Sequence, residues 1–182
     1  MAATRRLTAQ EMAAATMRSR VEDLAQEGAR MAGNAFAPVL FVQGVFGAPH
    51  EELLAGRVGT ALRASLERLG YDPEDWCVIS VLQDDGSPLR SDVLRLGVTT
   101  LDPNTVIAID EKAAESLREA FAAEFAELPE INQALFVPGS LVRVRGMRML
   151  NLGNFAEALN DDHEKQVAWA RLKLVPKLGS PY

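Results

Sequence analysis

The sequence predicts an α/β protein: a three-layer α/β/α sandwich with a mainly parallel central sheet of about four strands, preceded by an N-terminal helix. Three observations carry this. Val39-Leu40-Phe41-Val42, Trp76-Cys77-Val78-Ile79-Ser80-Val81 and Val106-Ile107-Ala108-Ile109 are short apolar runs rich in β-branched residues and bounded by turn signals, as strands buried on both faces are. Helical patterns lie between or after them, and strands alternating with helices imply βαβ units. At 182 residues the chain has the length of one domain, or at most two small ones, and can bury a core without disulfides or metals.

The elements follow in order. Thr8-Ala9-Gln10-Glu11 has the capping-box pattern, in which hydroxyl and carboxylate each satisfy a free N–H at a helix start. Met17, Val21, Leu24 and Met31 continue at helical steps, and Gly33-Asn34 is the expected stop. This thin apolar stripe packs on the domain or serves as an oligomer contact. Residues 1–35 are therefore read as a helical extension and 36–182 as the α/β domain. The first strand ends at Gln43-Gly44. Leu62, Leu66 and Leu69 form a helix face closed by Gly70, and Ala114, Leu117, Phe121 and Phe125 form another. Leu141–Arg145 and Met147–Leu152 read as a strand pair, or as one strand interrupted at Gly146. A helical stretch starts at Phe155–Leu159 and continues over His163–Leu174, with Pro176 and Gly179–Tyr182 ending it.

Composition excludes several classes. Cys77 is the single cysteine, and His50 and His163 are the two histidines. No intramolecular disulfide can form, and neither a Cys/His zinc site nor a four-cysteine cluster can be built within one chain. No run approaches the roughly 20 apolar residues of a spanning helix, and Arg5 and Arg6 lack a following apolar segment. The expectation is a cytoplasmic protein without membrane contact. The net charge is −6, and nucleic-acid binders normally present a basic surface. The balance is uneven: residues 1–37 carry +1, residues 38–140 hold seven basic against seventeen acidic residues, and residues 141–182 hold seven against four.

Ligands of open α/β sheets bind outside the carboxyl ends of the strands. The first such loop runs from Gln43 to Glu52. Gln43 can donate and accept hydrogen bonds, Gly44 and Gly47 permit close backbone approach, and Phe46 can stack on a planar ligand or be buried. Gly44-x-x-Gly47 lacks half of the dinucleotide fingerprint, no P-loop lysine follows, and G-x-S-x-G is absent. His50 beside Glu51 and Glu52 reads as a proton-transfer group or a solvated loop. Asp84-Asp85-Gly86 and Asp161-Asp162 read as solvated turns, with no metal-ligand spacing. Cys77 sits in an apolar run as core. Asp110 either caps the helix beginning at Glu111 or faces a ligand. Arg143, Arg145 and Arg148 cluster around Gly146 and, with Lys165, Arg171, Lys173 and Lys177, make the single basic region. They read as a charged edge strand or as a phosphate or nucleic-acid contact.

The order of these segments resembles the uracil-DNA glycosylase superfamily over roughly residues 36–175. Val39–Gly44 is similar to its first strand and active-site loop, followed by Glu51-Glu52-Leu53-Leu54-Ala55-Gly56-Arg57 with Gly59. Leu62–Gly70 is similar to the helix before its second strand, and Asp102–Asp110 with Ala113-Ala114 to a later strand and helix onset. Lys165–Lys173 is similar to its terminal helix. The resemblance implies a fold that flips a base out of DNA, stacks it on an aromatic ring and reads its edge. The functional motifs depart from the family pattern. Val45 follows Gly44 where an acidic residue or Asn positions water. Arg57-Val58-Gly59 has no stacking aromatic. Ser80 stands where an Asn reads the uracil edge, and Gly153-Asn154-Phe155-Ala156 stands in place of His-Pro-Ser. These groups act as a unit, and losing several at once removes most of the rate.

The sequence therefore points to a uracil-DNA glycosylase-like domain lacking standard glycosylase chemistry. The expected pocket for a nucleobase or small planar ligand is formed by Gln43, Gly44, Phe46, Ser80 and Asn154, with no cofactor. A divergent active DNA glycosylase using Gln43, His50 or Asn154, and a protein–protein interaction module, are the alternatives. DNA contact would fall to Arg143, Arg145 and Arg148, against the charge balance.

Overall fold

A computed structural model describes residues 8–48 and 50–175. Expectations for Arg5, Arg6, Pro49, Pro176, Lys177 and Gly179–Tyr182 lie outside the described residues. Fourteen elements follow in chain order: α1 (Ala9–Gln26), β1 (Met31–Gly33), β2 (Val39–Gln43), α2 (Gly56–Arg68), β3 (Trp76–Ser80), α3 (Ser91–Leu101) and β4 (Thr105–Ala108). Then come α4 (Glu111–Ala120), α5 (Ala122–Ala126), α6 (Ile131–Ala134), β5 (Leu141–Val144), β6 (Met147–Asn151), α7 (Phe155–Ala158) and α8 (Asp162–Leu172).

The α/β class holds, but the sheet is larger and more mixed than expected. It has six strands in the order β1-β3-β2-β4-β6-β5. β3, β2, β4 and β6 pair parallel, while β1 and β5 add antiparallel at the two edges. The extra strands have different physical origins. β5 and β6 form a hairpin whose turn residues Arg145 (φ 51°) and Gly146 (φ 86°) both have positive φ, the twist that suits two-residue hairpin loops. This resolves the region as a strand pair. β1 is three residues long and has no β-branched residue, so no periodicity announces it; it covers the outer edge of β3.

Alternation along the strands builds the two faces. Leu40, Val42, Ile79, Val106 and Met149 point into one core with Leu24 of α1, Val98 of α3 and Leu117 of α4. Val39, Phe41, Val78, Ile107 and Leu150 point into a second core with Leu62 and Leu66 of α2 and Leu172 of α8. Helices thus cover both sides.

Three boundaries differ from the sequence reading. The Thr8–Glu11 capping box forms, with Glu11 N donating to Thr8 Oγ1 at 3.2 Å and Thr8 N to Glu11 Oε2 at 2.7 Å. The helix ends at Gln26 rather than near Gly33, because Gly28 (φ 95°) turns the chain while its N–H bonds to Ala25 O and that of Ala29 to Leu24 O. Met31, expected on the helix stripe, lies in β1. The face through Ala114, Leu117, Phe121 and Phe125 is divided at Phe121 between α4 and α5, and the terminal helical stretch is divided at Asp161, whose carboxylate accepts from Glu164 N at 2.9 Å. Residues 31–33, placed in the N-terminal extension by sequence, belong to the sheet.

Candidate functional site

The strand order fixes where a site can form. From β2 the chain moves outward to β3, then crosses back to β4 on the other side of β2. The crevice outside the carboxyl ends of β2 and β4 is the topological switch point, the habitual ligand position of such sheets.

Asp110 occupies that crevice. It follows β4 and is 4% exposed. Its Oδ1 accepts from Ala113 N at 2.8 Å, capping α4. Its Oδ2 accepts from Gly44 N at 2.8 Å and Val45 N at 3.0 Å. One carboxylate thereby caps a helix and clasps the loop after β2 to the end of β4. Gly44 fits this spot because a Cβ there would lie 2.8 Å from Lys112 Cβ, 2.9 Å from Asp110 Oδ1 and 2.9 Å from Val81 Cγ2.

With the crevice clasped, the open space lies beside it. A cleft of about 510 Å³ runs between the loops after β2 and β3, lined among others by Arg30, Gly44, Phe46, His50, Gln83 and Lys112. Arg30 organises it. Its guanidinium sits 5.3 Å from the centroid of the Phe46 ring. Nε pairs with Asp84 at 3.0 Å and Nη2 donates to Glu51 O at 2.9 Å. One side chain thus ties both loops together and orients the aromatic ring. Sequence reasoning did not single out Arg30, because its partners lie 16 to 54 positions away along the chain. Lys112, on the first turn of α4, is exposed, lines the cleft and forms no ion pair among the described residues.

The residues expected to form one pocket are distributed as follows. Gly44 and Phe46 line the cleft. Gln43 is buried beneath it: Nε2 donates to Val45 O at 3.2 Å and Oε1 accepts from Leu54 N at 3.0 Å, so its amide holds the loop. Ser80 is fully buried, and its hydroxyl donates to Leu82 O at 2.7 Å and accepts from Leu82 N at 2.9 Å. Asn154 lines a separate cavity of about 310 Å³ on the other flank of α4, with Arg118, Phe136 and Asn151. The two spaces share no lining residue. Asn151 is itself committed, donating to Phe136 O at 2.6 Å and accepting from Gly153 N at 2.9 Å.

Carboxylates near the cleft are also engaged. Glu51 Oε2 accepts from Gly47 N at 2.6 Å, Asp84 pairs with Arg30, and Asp85 accepts from the hydroxyl and N–H of Ser87. Those two bonds lower the Asp85 pKa, the hydroxyl bond more. His50 is exposed at the rim with φ 59°. Among the described residues no group of three or more His, Cys, Asp or Glu side chains has metal-site geometry. No described helix is long and apolar enough to cross a membrane.

The arginine cluster lies elsewhere. Arg143 and Arg148 are register partners across β5 and β6, and Arg148 stands opposite Thr105, the first residue of β4. Arg145 is in the hairpin turn. All three sit at the amino ends of the parallel strands, opposite the cleft. Arg171 donates to Leu152 O at 2.8 Å and Lys165 pairs with Asp162 at 2.9 Å, so these two are tied into the C-terminal scaffold.

No family model matches the chain, and no curated protein matches it.

Proposed function

We propose that this chain is a uracil-DNA glycosylase-like α/β domain that binds a nucleobase or another small planar ligand without standard glycosylase chemistry. The ligand position is the cleft beside the switch point, with the ring on Phe46 and any anionic substituent at Lys112. The observation that carries the reading is the employment of the polar groups. Base hydrolysis needs a group that positions water and another that stabilises the departing base. Around this cleft, Asp110, Glu51 and Asp84 each hold a loop or a helix end, and the Gln43 amide and Ser80 hydroxyl are bonded to backbone. The other lining residues with chemistry to offer are Phe46 with an aromatic ring, Lys112 with a cation and His50 with an imidazole at the rim.

The resemblance supports the same scaffold. Its segments fall on β2, α2, β4 with the start of α4, and α8. The polar positions its chemistry uses carry other residues: Ser80 is bonded to backbone, and Val45 is an exposed apolar side chain.

The test is a calorimetric titration with uracil and with deoxyuridine monophosphate, alongside a base-release assay on uracil-containing DNA. Stacking contributes about 1–3 kcal/mol per base, so Phe46→Ala weakens binding by roughly 5- to 100-fold. Lys112→Ala weakens the monophosphate more than the free base. Base release that His50→Ala or Asn154→Ala abolishes would overturn the proposal in favour of a divergent glycosylase. Equal binding by wild type and Phe46→Ala would place the ligand elsewhere.

A further inference from the structure

Beside the cleft lies a second and larger cavity of about 1000 Å³, between α1, β1 and residues 52–56. The two spaces share Arg30, Gln83, Asp84 and Asp85 as lining. Their boundary runs along one side chain. Near β1, Gly28, Ala29, Met31 and Ala32 line the larger cavity alone, whereas Arg30 lines both. Along the loop after β2, the cleft is lined as far as His50 and the larger cavity from Glu52 onward. Glu51 stands between them, and its carbonyl accepts from Arg30 Nη2 at 2.9 Å. On the loop after β3, Arg30 Nε pairs with Asp84 at 3.0 Å.

Of the four shared residues, Arg30 is the one bonded to the loop after β2. The Gln83 amide donates to Ser87 Oγ at 3.1 Å and to Pro88 O at 3.2 Å, both in its own turn. Asp84 and Asp85 are exposed. The Arg30 side chain is 19% exposed, and its guanidinium also lies 5.3 Å from the Phe46 ring centroid. Moving it aside gives up an ion pair, a hydrogen bond from a charged donor and a cation–π contact together. It therefore stands as a fixed crossbar between the two loops.

We propose that Arg30 is a specificity-determining residue of the cleft: it ends the cleft beside Phe46, so the ligand is a small ring without a bulky substituent on the edge that faces Arg30. This rests on the reading that a planar ligand stacks on Phe46. The limit is one of shape. The charged residues that line the larger cavity carry both signs, Glu52, Asp84 and Asp85 against Arg30 and Arg63, so that space favours neither an anion nor a cation. Val21, Ala25, Leu53 and Trp76 supply its apolar surface. A neutral apolar substituent is therefore what gains when the crossbar is removed, because it then leaves water for that surface.

The probes are uracil and 5-phenyluracil, both neutral near pH 7, titrated calorimetrically into the full chain. The readout is the ratio of the two affinities. Loss of Phe46 orientation weakens both ligands alike and leaves the ratio unmoved. The wild type is expected to bind 5-phenyluracil no tighter than uracil. Arg30→Ala is expected to bind it tighter than uracil by at least about tenfold, the gain from burying a phenyl ring. Arg30→Gln, too short to reach both loops, shifts the ratio in the same direction and serves if the alanine variant does not fold. In either variant the amides of Ala32 and Leu53 shift on adding 5-phenyluracil and not on adding uracil. Uracil binding by the wild type with a ratio that neither substitution moves overturns the role of Arg30 and leaves the Phe46 reading standing. A wild type that already prefers 5-phenyluracil by tenfold overturns it as well. Failure of uracil to bind the wild type overturns the Phe46 reading, and the size limit with it.

Discussion

Asp110 allows the fold's central joint to be tested by itself. An N-cap alone predicts one outcome for its replacement and a loop clasp predicts another. Asn caps helices as well as Asp does, so if Asp110 served only Ala113 N, Asp110→Asn would be nearly neutral. The carboxylate also accepts from Gly44 N and Val45 N through its other oxygen. An amide has one oxygen: if it keeps the cap, its NH2 faces two N–H donors at the loop; if it keeps the loop, the cap is lost. Hydrogen bonds to a charged group contribute about 1.5–3 kcal/mol each, and a buried donor left alone costs about 1–3 kcal/mol. Asp110→Asn is therefore expected to cost about 2–3 kcal/mol, and Asp110→Ala, which loses the cap and both loop bonds, about 3–5 kcal/mol. For a chain of this size each kcal/mol lowers Tm by about 2–4 °C, so the alanine variant should melt roughly 10–15 °C lower. Denaturant unfolding measures the free energy, and amide exchange at Gly44 and Val45 reports the clasp directly. An Asp110→Asn cost within about 0.5 kcal/mol of zero would refute the clasp and reduce Asp110 to a helix cap.

Two further expectations concern ionisation. The Arg95 guanidinium, hydrogen-bonded to Glu124 with Nη1 to Oε2 at 3.0 Å, holds that carboxyl at about 2. A carboxyl depressed in the folded state stabilises above its unfolded value near 4.5 and loses that contribution as pH falls toward 2. Since Arg95 is about a third exposed, solvent screening reduces the benefit to about 1–2 kcal/mol; Glu124→Gln should cost this near neutral pH and almost nothing near pH 2, and a pH-independent difference would remove the ion pair from the account. Burial pushes the Cys77 thiol up to about 11, so a disulfide reagent at neutral pH should label it only as fast as the chain unfolds; stoichiometric labelling of the native protein within minutes would contradict its place in the core.

Much of the architecture could be read in advance because burial on both faces writes itself into composition. β2, β3 and β4 are continuous apolar runs with no polar residue before their last position except Thr105, and each coincides with a predicted strand to within two residues. β1 could not be read, because a three-residue edge strand is defined by its neighbour rather than by its own pattern. The end of α1 was misplaced for a related reason: Met31 continues the helical stripe in spacing, yet the chain has already turned at Gly28. At the site, the polar residues at the strand ends were legible as polar but not as occupied. Gln43 meets Leu54 N eleven positions on, and Asp110 meets Gly44 across 66 positions. Arg30 carries no local signal at all.

The placement of charge bears on how far the glycosylase resemblance extends. An enzyme that draws a base out of duplex DNA holds the flanking phosphates while the base is unstacked, so its cations must surround the pocket. Here the loops at the cleft carry Asp84, Asp85, Glu51 and Glu52, and the arginine cluster sits at the other end of the sheet. Arg148 is three strand residues from Asn151, about 10 Å along β6 before the loops begin. That is already a Debye length at physiological salt, so little of its field reaches a phosphate beside Phe46. Lys112 lines the cleft without an ion pair among the described residues, a single cation where a duplex would need several. The charge pattern and the employment of the polar groups are separate properties of the chain, one set by composition along the sequence and the other by packing. Both favour a small free ligand over a base within DNA.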